Sequence, residues 1–242
     1  MKLSGLDGII IRGAALRLSY LYVHDGNAEL RDAGHLSGKD TWETEAAVKK
    51  ELGGSERQLS VFSIGPAGEN LVKFAALVGD KGHVASHNGV GAVLGSKRLK
   101  AVVVSRGKES VPIHNRKQFS SLTKDLFERA KANKGLPVYE WGTMGDNAAA
   151  ENRLSRAVLP IRNYTTNYFP QGARHSGEML RSRVEAKWSP CWARKFRHLH
   201  QMKLTQGPYE GYSGEEPEYE QIAAFGSLIG QGDLEAAFVL SN

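Results

Sequence analysis

Two glycine-bearing segments and the strand behind them decide the fold: Ile64-Gly65-Pro66-Ala67-Gly68-Glu69-Asn70, then Asn88-Gly89-Val90-Gly91-Ala92-Val93-Leu94-Gly95-Ser96-Lys97, then Leu99-Lys100-Ala101-Val102-Val103-Val104. The last is a nearly continuous apolar run, the pattern of a strand buried on both faces. Closely spaced glycines let backbone N–H groups approach an anion, and Ser96 and Lys97 add a hydroxyl and a positive charge. The segment is therefore an anion-loop candidate, with ordinary tight turns and close backbone packing as the alternative. Its spacing is neither the GxGxxG dinucleotide fingerprint nor the GxxxxGK[ST] triphosphate loop.

Outward from this block, the N-terminal part reads as sheet. Gly8 to Ile11, Leu18 to Val23 and Ala28 to Leu30 suit strands of a meander, with Asp25-Gly26 as a tight hairpin turn. Asp40 followed by Glu43 resembles a capping box opening a helix that runs to Leu52 and stops at Gly53-Gly54. Gln58 to Ile64 suits a strand, and Glu69 to Val78 predicts a helix from the spacing of Leu71, Phe74, Ala75 and Val78. Near residue 110 the character changes. Arg116 to Asn133 carries Phe119, Leu122, Leu126, Phe127 and Ala130 on one helical face. Gly135 to Arg174 is loop-like, as befits a segment that wraps something or lines a site, and helices resume at Ser176 and Glu218. The expected fold class is α+β: a sheet-rich base domain over residues 1–110, then the start of a mostly helical region over 111–242.

Composition narrows the function. A chain of 242 residues that is 40% hydrophobic can bury a substantial core. No apolar run of about 18 residues predicts a membrane span, and the opening Met-Lys-Leu-Ser-Gly lacks the layout of an export signal, so the expected compartment is the cytoplasm. The formal charge of +6 is mild and dispersed. Without a basic stripe or a Cys/His finger, nucleic-acid binding is not expected. The single cysteine, Cys191, excludes an intrachain disulfide and an all-cysteine metal site within the chain. By itself it reads equally well as a small buried apolar residue. His198 and His200 lie two apart, but no third ligand stands at metal spacing and such a basic turn is expected at the surface. Glu215, Glu216, Glu218 and Glu220 form an acidic run that suits the N-terminal dipole of a helix.

The first two segments, together with Trp141-Gly142-Thr143, Leu159-Pro160-Ile161-Arg162-Asn163-Tyr164, Pro190-Cys191, Gly207-Pro208-Tyr209 and Glu215-Glu216-Pro217-Glu218-Tyr219-Glu220, resemble the aldehyde ferredoxin oxidoreductase family in order and approximate spacing. The Asn-Gly-Val-Gly loop and the acidic motif are similar to the branch of tungsten-dependent benzoyl-CoA reductase subunits. The resemblance implies a base domain carrying a tungsten bis-pterin, helical domains closing over it, and a [4Fe–4S] cluster that passes electrons to a ferredoxin-like carrier or to iron–sulfur subunits, in an assembly that can be a homo-oligomer. It implies that Asn88, Gly89, Gly91, Ala92 and Lys97 face the pterins, that Glu216 or Glu218 is the proton donor or acceptor, and that Cys191 is a cluster ligand. Family members are longer, so the chain resembles an internal fragment, with a second pterin motif expected beyond Asn242. Apolar residues such as Ile222, Phe225, Leu228 and Phe238 are then expected to be uncovered.

One departure stands out. The family holds its cluster with Cys-x-x-Cys-x-x-x-Cys plus one distant cysteine, and here Arg194 and His198 occupy the second and third positions. A [4Fe–4S] cluster is normally held by four thiolates, and arginine cannot ligate iron. The chain alone is therefore expected to hold neither cofactor stably. Two readings follow: part of a tungstopterin oxidoreductase acting on an aldehyde or acyl-type substrate, or a degenerate relative that keeps the fold in a structural or assembly role.

Overall fold

A computed structural model describes residues 1–80, 82–108, 110–132, 159–171, 176–189 and 199–242. The chain divides into two compact units, Met1–His114 and Asn115–Asn242. The first unit contains strands β1 (Ser19–His24), β2 (Asn27–Asp32), β3 (Leu59–Ser63), β4 (Leu77–Gly79), β5 (His83–Ala85) and β6 (Leu99–Ser105), with helices α1 (Thr41–Leu52), α2 (Pro66–Glu69) and α3 (Val90–Ser96). The second contains helices α4 (Arg116–Lys131), α5 (Gly177–Arg181), α6 (Tyr219–Phe225) and α7 (Leu234–Ser241) around strands β7 (Val184–Trp188), β8 (His200–Leu204) and β9 (Ser213–Glu215). No described helix is long and apolar enough to cross a membrane.

The sheet of the first unit runs β2-β1-β6-β3-β4-β5. Asp25 and Gly26, both at positive φ, close the β1–β2 hairpin, because this backbone matches the twist of the flanking strands. β6 sits centrally, parallel to β1 and antiparallel to β3. Its apolar side chains face two ways. Ala101 and Val103 join Tyr20, Val48, Leu59 and Val61 in one core cluster. Leu99 packs with Leu21 and Val23 in another. The expected third strand of a meander, Gly8 to Ile11, is irregular, and Ile10 lies exposed. β6 has taken the edge of β1 that such a strand would need, since a long apolar strand buries more surface there.

α1 begins and ends as its sequence predicts. The Asp40 carboxylate accepts the Glu43 N–H at 2.8 Å, the Glu43 side chain accepts the Asp40 N–H at 3.0 Å, and Gly53 closes the helix in the left-handed region. The expected helix over Glu69 to Val78 does not form. α2 stops at Glu69, Leu71 turns left-handed, and Leu77–Gly79 becomes a strand beside β3. Gly79 permits this, because a Cβ there would lie 2.1 Å from the Val61 carbonyl oxygen. Tertiary pairing overrides a local helical spacing that would leave β3 an open edge, and Phe74 is left exposed. Glu69 instead clamps the site of the turn: it pairs with Lys100, fully buried on β6, whose Nζ also donates to the Lys39 carbonyl at 2.7 Å, and it accepts the Gly38 N–H at 3.0 Å.

In the second unit α4 is amphipathic as expected, with Phe119, Leu122 and Leu126 each about half exposed. Ser176 and Glu218 are the N-caps of α5 and α6. The three-stranded antiparallel sheet β7-β8-β9 is an element that the sequence reading did not foresee. Its core face carries Met202 and Leu204 against Leu180, Ile222, Leu234 and Phe238. Ile222 and Phe238 are thus buried rather than uncovered, while Phe225 is partly exposed. A second buried carboxylate, Glu235, pairs with Arg183 at 2.6 Å, and Gly207 makes room for it, since a Cβ there would lie 2.2 Å from Glu235 Oε2.

Candidate functional site

The anion-loop candidate folds as a turn, His87–Gly89, leading into α3. Asn88 is exposed at φ 66, and Gly89 follows it in the left-handed region. The glycine faces are filled by protein backbone. A Cβ on Gly89 would lie 2.0 Å from the Lys73 carbonyl oxygen, one on Gly91 2.4 Å from that of Ala76, and one on Gly95 1.9 Å from that of Gly68. Gly91 also donates its N–H to Ala75 at 2.9 Å, so that donor is committed within the fold. Ser96 returns its hydroxyl to Val93 at 2.8 Å, and Lys97, at the far end of α3, reaches the Gly13 carbonyl at 3.1 Å. Asn88, Gly89, Gly91 and Ala92 are therefore together, and Lys97 is not with them. The glycines serve the close approach of α2 and α3 first. Asn88 and Ala92 keep surface of their own.

The acidic motif resolves into two different roles. Glu218 is the N-cap of α6, in a capping box with Gln221, whose side chain accepts the Glu218 N–H at 2.7 Å. Glu216 is buried at 6% exposure. The β8–β9 register pairs Gln201 with Glu215, and one step on, the Glu216 N–H donates to the His200 carbonyl at 2.8 Å. Trp188 stands opposite His200 in the β7–β8 register, its ring 4.4 Å from the imidazole. Trp188, His200 and Glu216 are thus one cross-strand row. Side chains alternate along a strand, so this row shares the face of Met202 and Leu204 and ends an otherwise apolar core. His200 is itself buried at 2%, contrary to the surface position expected for it.

Within this row His200 Nδ1 is hydrogen-bonded to Glu216 Oε2. Glu216 Oε1 is buried and has no hydrogen-bond partner among the described residues. The Glu216 carboxyl is pushed up to about 9, chiefly by burial; the nearby Arg181 guanidinium pulls it down and Glu218 pushes it further up. Burial likewise lowers Arg181, against the attraction of Glu216 and Glu178. Two buried charges in so dry a place are costly, and the raised value leaves the Glu216 carboxyl protonated near neutrality. With Oε2 tied to Nδ1, Oε1 is left without a partner among the described residues. Leaving such an atom unpaired costs about 1–3 kcal/mol.

Cys191, Arg194 and His198 lie outside the described residues, as does Trp141-Gly142-Thr143. Among the described residues no group of three or more His, Cys, Asp or Glu side chains could hold a metal ion. The residues fit the two family cofactors unequally. The orphaned, buried Oε1 suits a position beside a bound reacting group. Cys191, by contrast, is the only thiol in the chain, and even with one cysteine from elsewhere the set falls short of the four that a [4Fe–4S] cluster takes.

The chain matches two family models: the aldehyde ferredoxin oxidoreductase N-terminal domain over residues 1–106, and domains 2 and 3 of the same family over 121–242. It is 40% identical to a tungsten-containing aldehyde ferredoxin oxidoreductase of Thermococcus kodakarensis and 37% identical to one of Pyrococcus furiosus, each match spanning all of this chain and 38% of the relative. It is 31% identical to an aliphatic sulfonate oxidoreductase WOR-like subunit of Pyrococcus furiosus, covering 40% of it. In fold it resembles the active-site complex BamBC of benzoyl coenzyme A reductase, solved with 1,5-dienoyl-CoA, at a TM-score of 0.69 and 23% identity over 95% of this chain and 35% of that one. That last likeness speaks for the fold alone. With both family models matched in order along the sequence, the chain belongs to the aldehyde ferredoxin oxidoreductase family.

Proposed function

We propose that this chain is part of a tungsten-pterin oxidoreductase acting on an aldehyde or acyl-type substrate, and that Glu216 is its acid/base group. The observation that carries this reading is the buried carboxyl whose Oε2 is tied to His200 and whose Oε1 has no partner among the described residues. When bound, the tungsten bis-pterin supplies the electron sink. The chain supplies proton handling and position. In the reducing direction a carboxyl still protonated near neutrality is a proton donor; in the oxidising direction it is the ionised carboxylate that takes the proton released by an aldehyde hydrate, with Oε1 as the open oxygen. The burial that raises its proton affinity also keeps water from competing for it. Asn88 and Ala92, at the head of α3, are the candidates for pterin contact, with Gly89 and Gly91 holding that turn against its neighbours and Lys97 placed at the opposite end. Ferredoxin-like electron transfer and iron–sulfur partners belong to the whole enzyme, of which this chain spans 38% of the length of its relatives.

The chain is not competent alone. The test is dye-linked aldehyde oxidation after anaerobic expression in a host that makes tungstopterin, with the C-terminal remainder of the Thermococcus kodakarensis relative supplied as a second chain. Activity is expected only when both chains are present. Glu216→Gln is expected to lower it by roughly 10²–10⁴-fold, the usual contribution of a positioned acid or base. Activity indifferent to Glu216→Gln would remove the acid/base assignment, and a pair of chains that binds no tungsten would favour the degenerate, non-catalytic relative.

A further inference from the structure

We propose that His200 is a positioning residue for Glu216: its Nδ1 holds Oε2, and Trp188, its ring tilted against the imidazole, holds the ring, so that Oε1 alone is presented to the reacting group. This rests on the reading of Glu216 as the acid/base group and adds what aims it.

The sheet itself builds the arrangement. Trp188 pairs with His200 across β7–β8, and Glu216 extends the β8–β9 ladder through its N–H to the His200 carbonyl. Both cross-strand neighbours of His200 are therefore fixed by backbone register, independently of their side chains. A carboxyl in this place has two equivalent oxygens, and without a partner either could face the core or turn toward water. The hydrogen bond from one of them to Nδ1 breaks that equivalence. Its energetic sign is clear: an unpartnered buried oxygen is unfavourable, so a carboxyl with one oxygen tied and one bare persists only because the tie holds it. Positioning of an acid or base by a third group is a recurring device in catalytic constellations. The charged groups acting on Glu216 are Arg181 on α5 and Glu218 at the head of α6, with Glu178 beside Arg181 in turn.

The test is NMR of the whole 242-residue chain, with labelled glutamate carboxyls and histidine rings and no metal added. In the unaltered chain, a hydrogen-bond signature joining His200 Nδ1 to the Glu216 carboxyl is expected, and an Nδ1 without one overturns the proposal. His200→Asn, which places a polar atom near the position of Nδ1, is expected to keep the Glu216 titration midpoint within about one pH unit. His200→Phe is expected to lower it by two units or more, a hundredfold in proton affinity, as the untied carboxyl turns to water. An unchanged midpoint in His200→Phe means that burial alone sets the carboxyl, which overturns the proposal. If that variant does not fold, Trp188→Leu decides, since Trp188 is half exposed: exchange of the proton in the His200–Glu216 hydrogen bond with water is expected to quicken at least tenfold, and unchanged exchange overturns it. These readouts need no turnover. A Glu216 that proves dispensable for activity sinks the functional reading and leaves the positioning standing, whereas an unchanged midpoint sinks the positioning alone.

Discussion

Gly95→Ala unfolds the first unit or comes close to it. The added methyl would lie 1.9 Å from the Gly68 carbonyl oxygen and 2.8 Å from its carbon, both backbone atoms of the neighbouring turn. No rotamer change relieves such a contact, so α3 must move away from α2. That movement also disturbs Gly91, whose N–H bonds to Ala75, and Gly89, packed on Lys73. Alanine gains about 1 kcal/mol over glycine inside a helix, while overpacking costs typically 1–3 kcal/mol and more against rigid backbone. We expect a net loss of about 3 kcal/mol or more by denaturant unfolding, a large share of a domain's stability. Gly8→Ala, where nothing lies within 4 Å, serves as the control and is expected to stay within about 0.5 kcal/mol of the original. A stable Gly95→Ala chain would show that these glycines are not packing residues.

The second large effect is on the pH dependence of the second unit. Glu216 has its folded value raised to about 9, so the folded state holds a proton that the unfolded carboxyl has already released. Stability rises with pH where the unfolded state binds more protons and falls where the folded state does. Glu216 therefore takes nothing from stability below the ordinary carboxyl range and opposes folding increasingly as pH climbs from there toward 9. Between about pH 7 and 9 the proton kept by the folded Glu216 carboxyl is the difference between the two states. At 1.36 kcal/mol per unit the loss across that interval reaches up to about 3 kcal/mol. Glu216→Gln keeps the shape and can donate to Nδ1 without titrating, so it is expected to abolish most of this slope and to be the more stable protein at pH 9. Parallel profiles for the two chains would mean that the carboxyl is ionised when folded.

How far this was legible in the sequence depends on whether the cause is local. The capping box of α1, the Asp25-Gly26 turn and the central strand β6 are written in neighbouring residues, and the structure follows them. The helix expected through Leu71, Phe74 and Val78 failed because the open edge of β3, distant in sequence, recruits Leu77–Gly79. Val184–Trp188 and His200–Leu204 do alternate along their length. Those runs are short, and the alternation acquires meaning only when the two strands pair. Glu216 was singled out through family resemblance. What makes it chemically distinctive, the tie to His200 and the end of an apolar row, comes from strand register that no local pattern announces. Glu218, equally prominent in sequence, turned out to be a helix cap.

The central claim is that the family fold persists here without the thiolates for a cluster, and iron and tungsten content of the purified chain tests it most directly. After anaerobic expression in a tungstopterin-producing host, elemental analysis with an ultraviolet–visible spectrum is expected to give a colourless protein with iron and tungsten far below one equivalent. Stoichiometric iron with charge-transfer absorption would contradict the account and require cluster ligands other than Cys191.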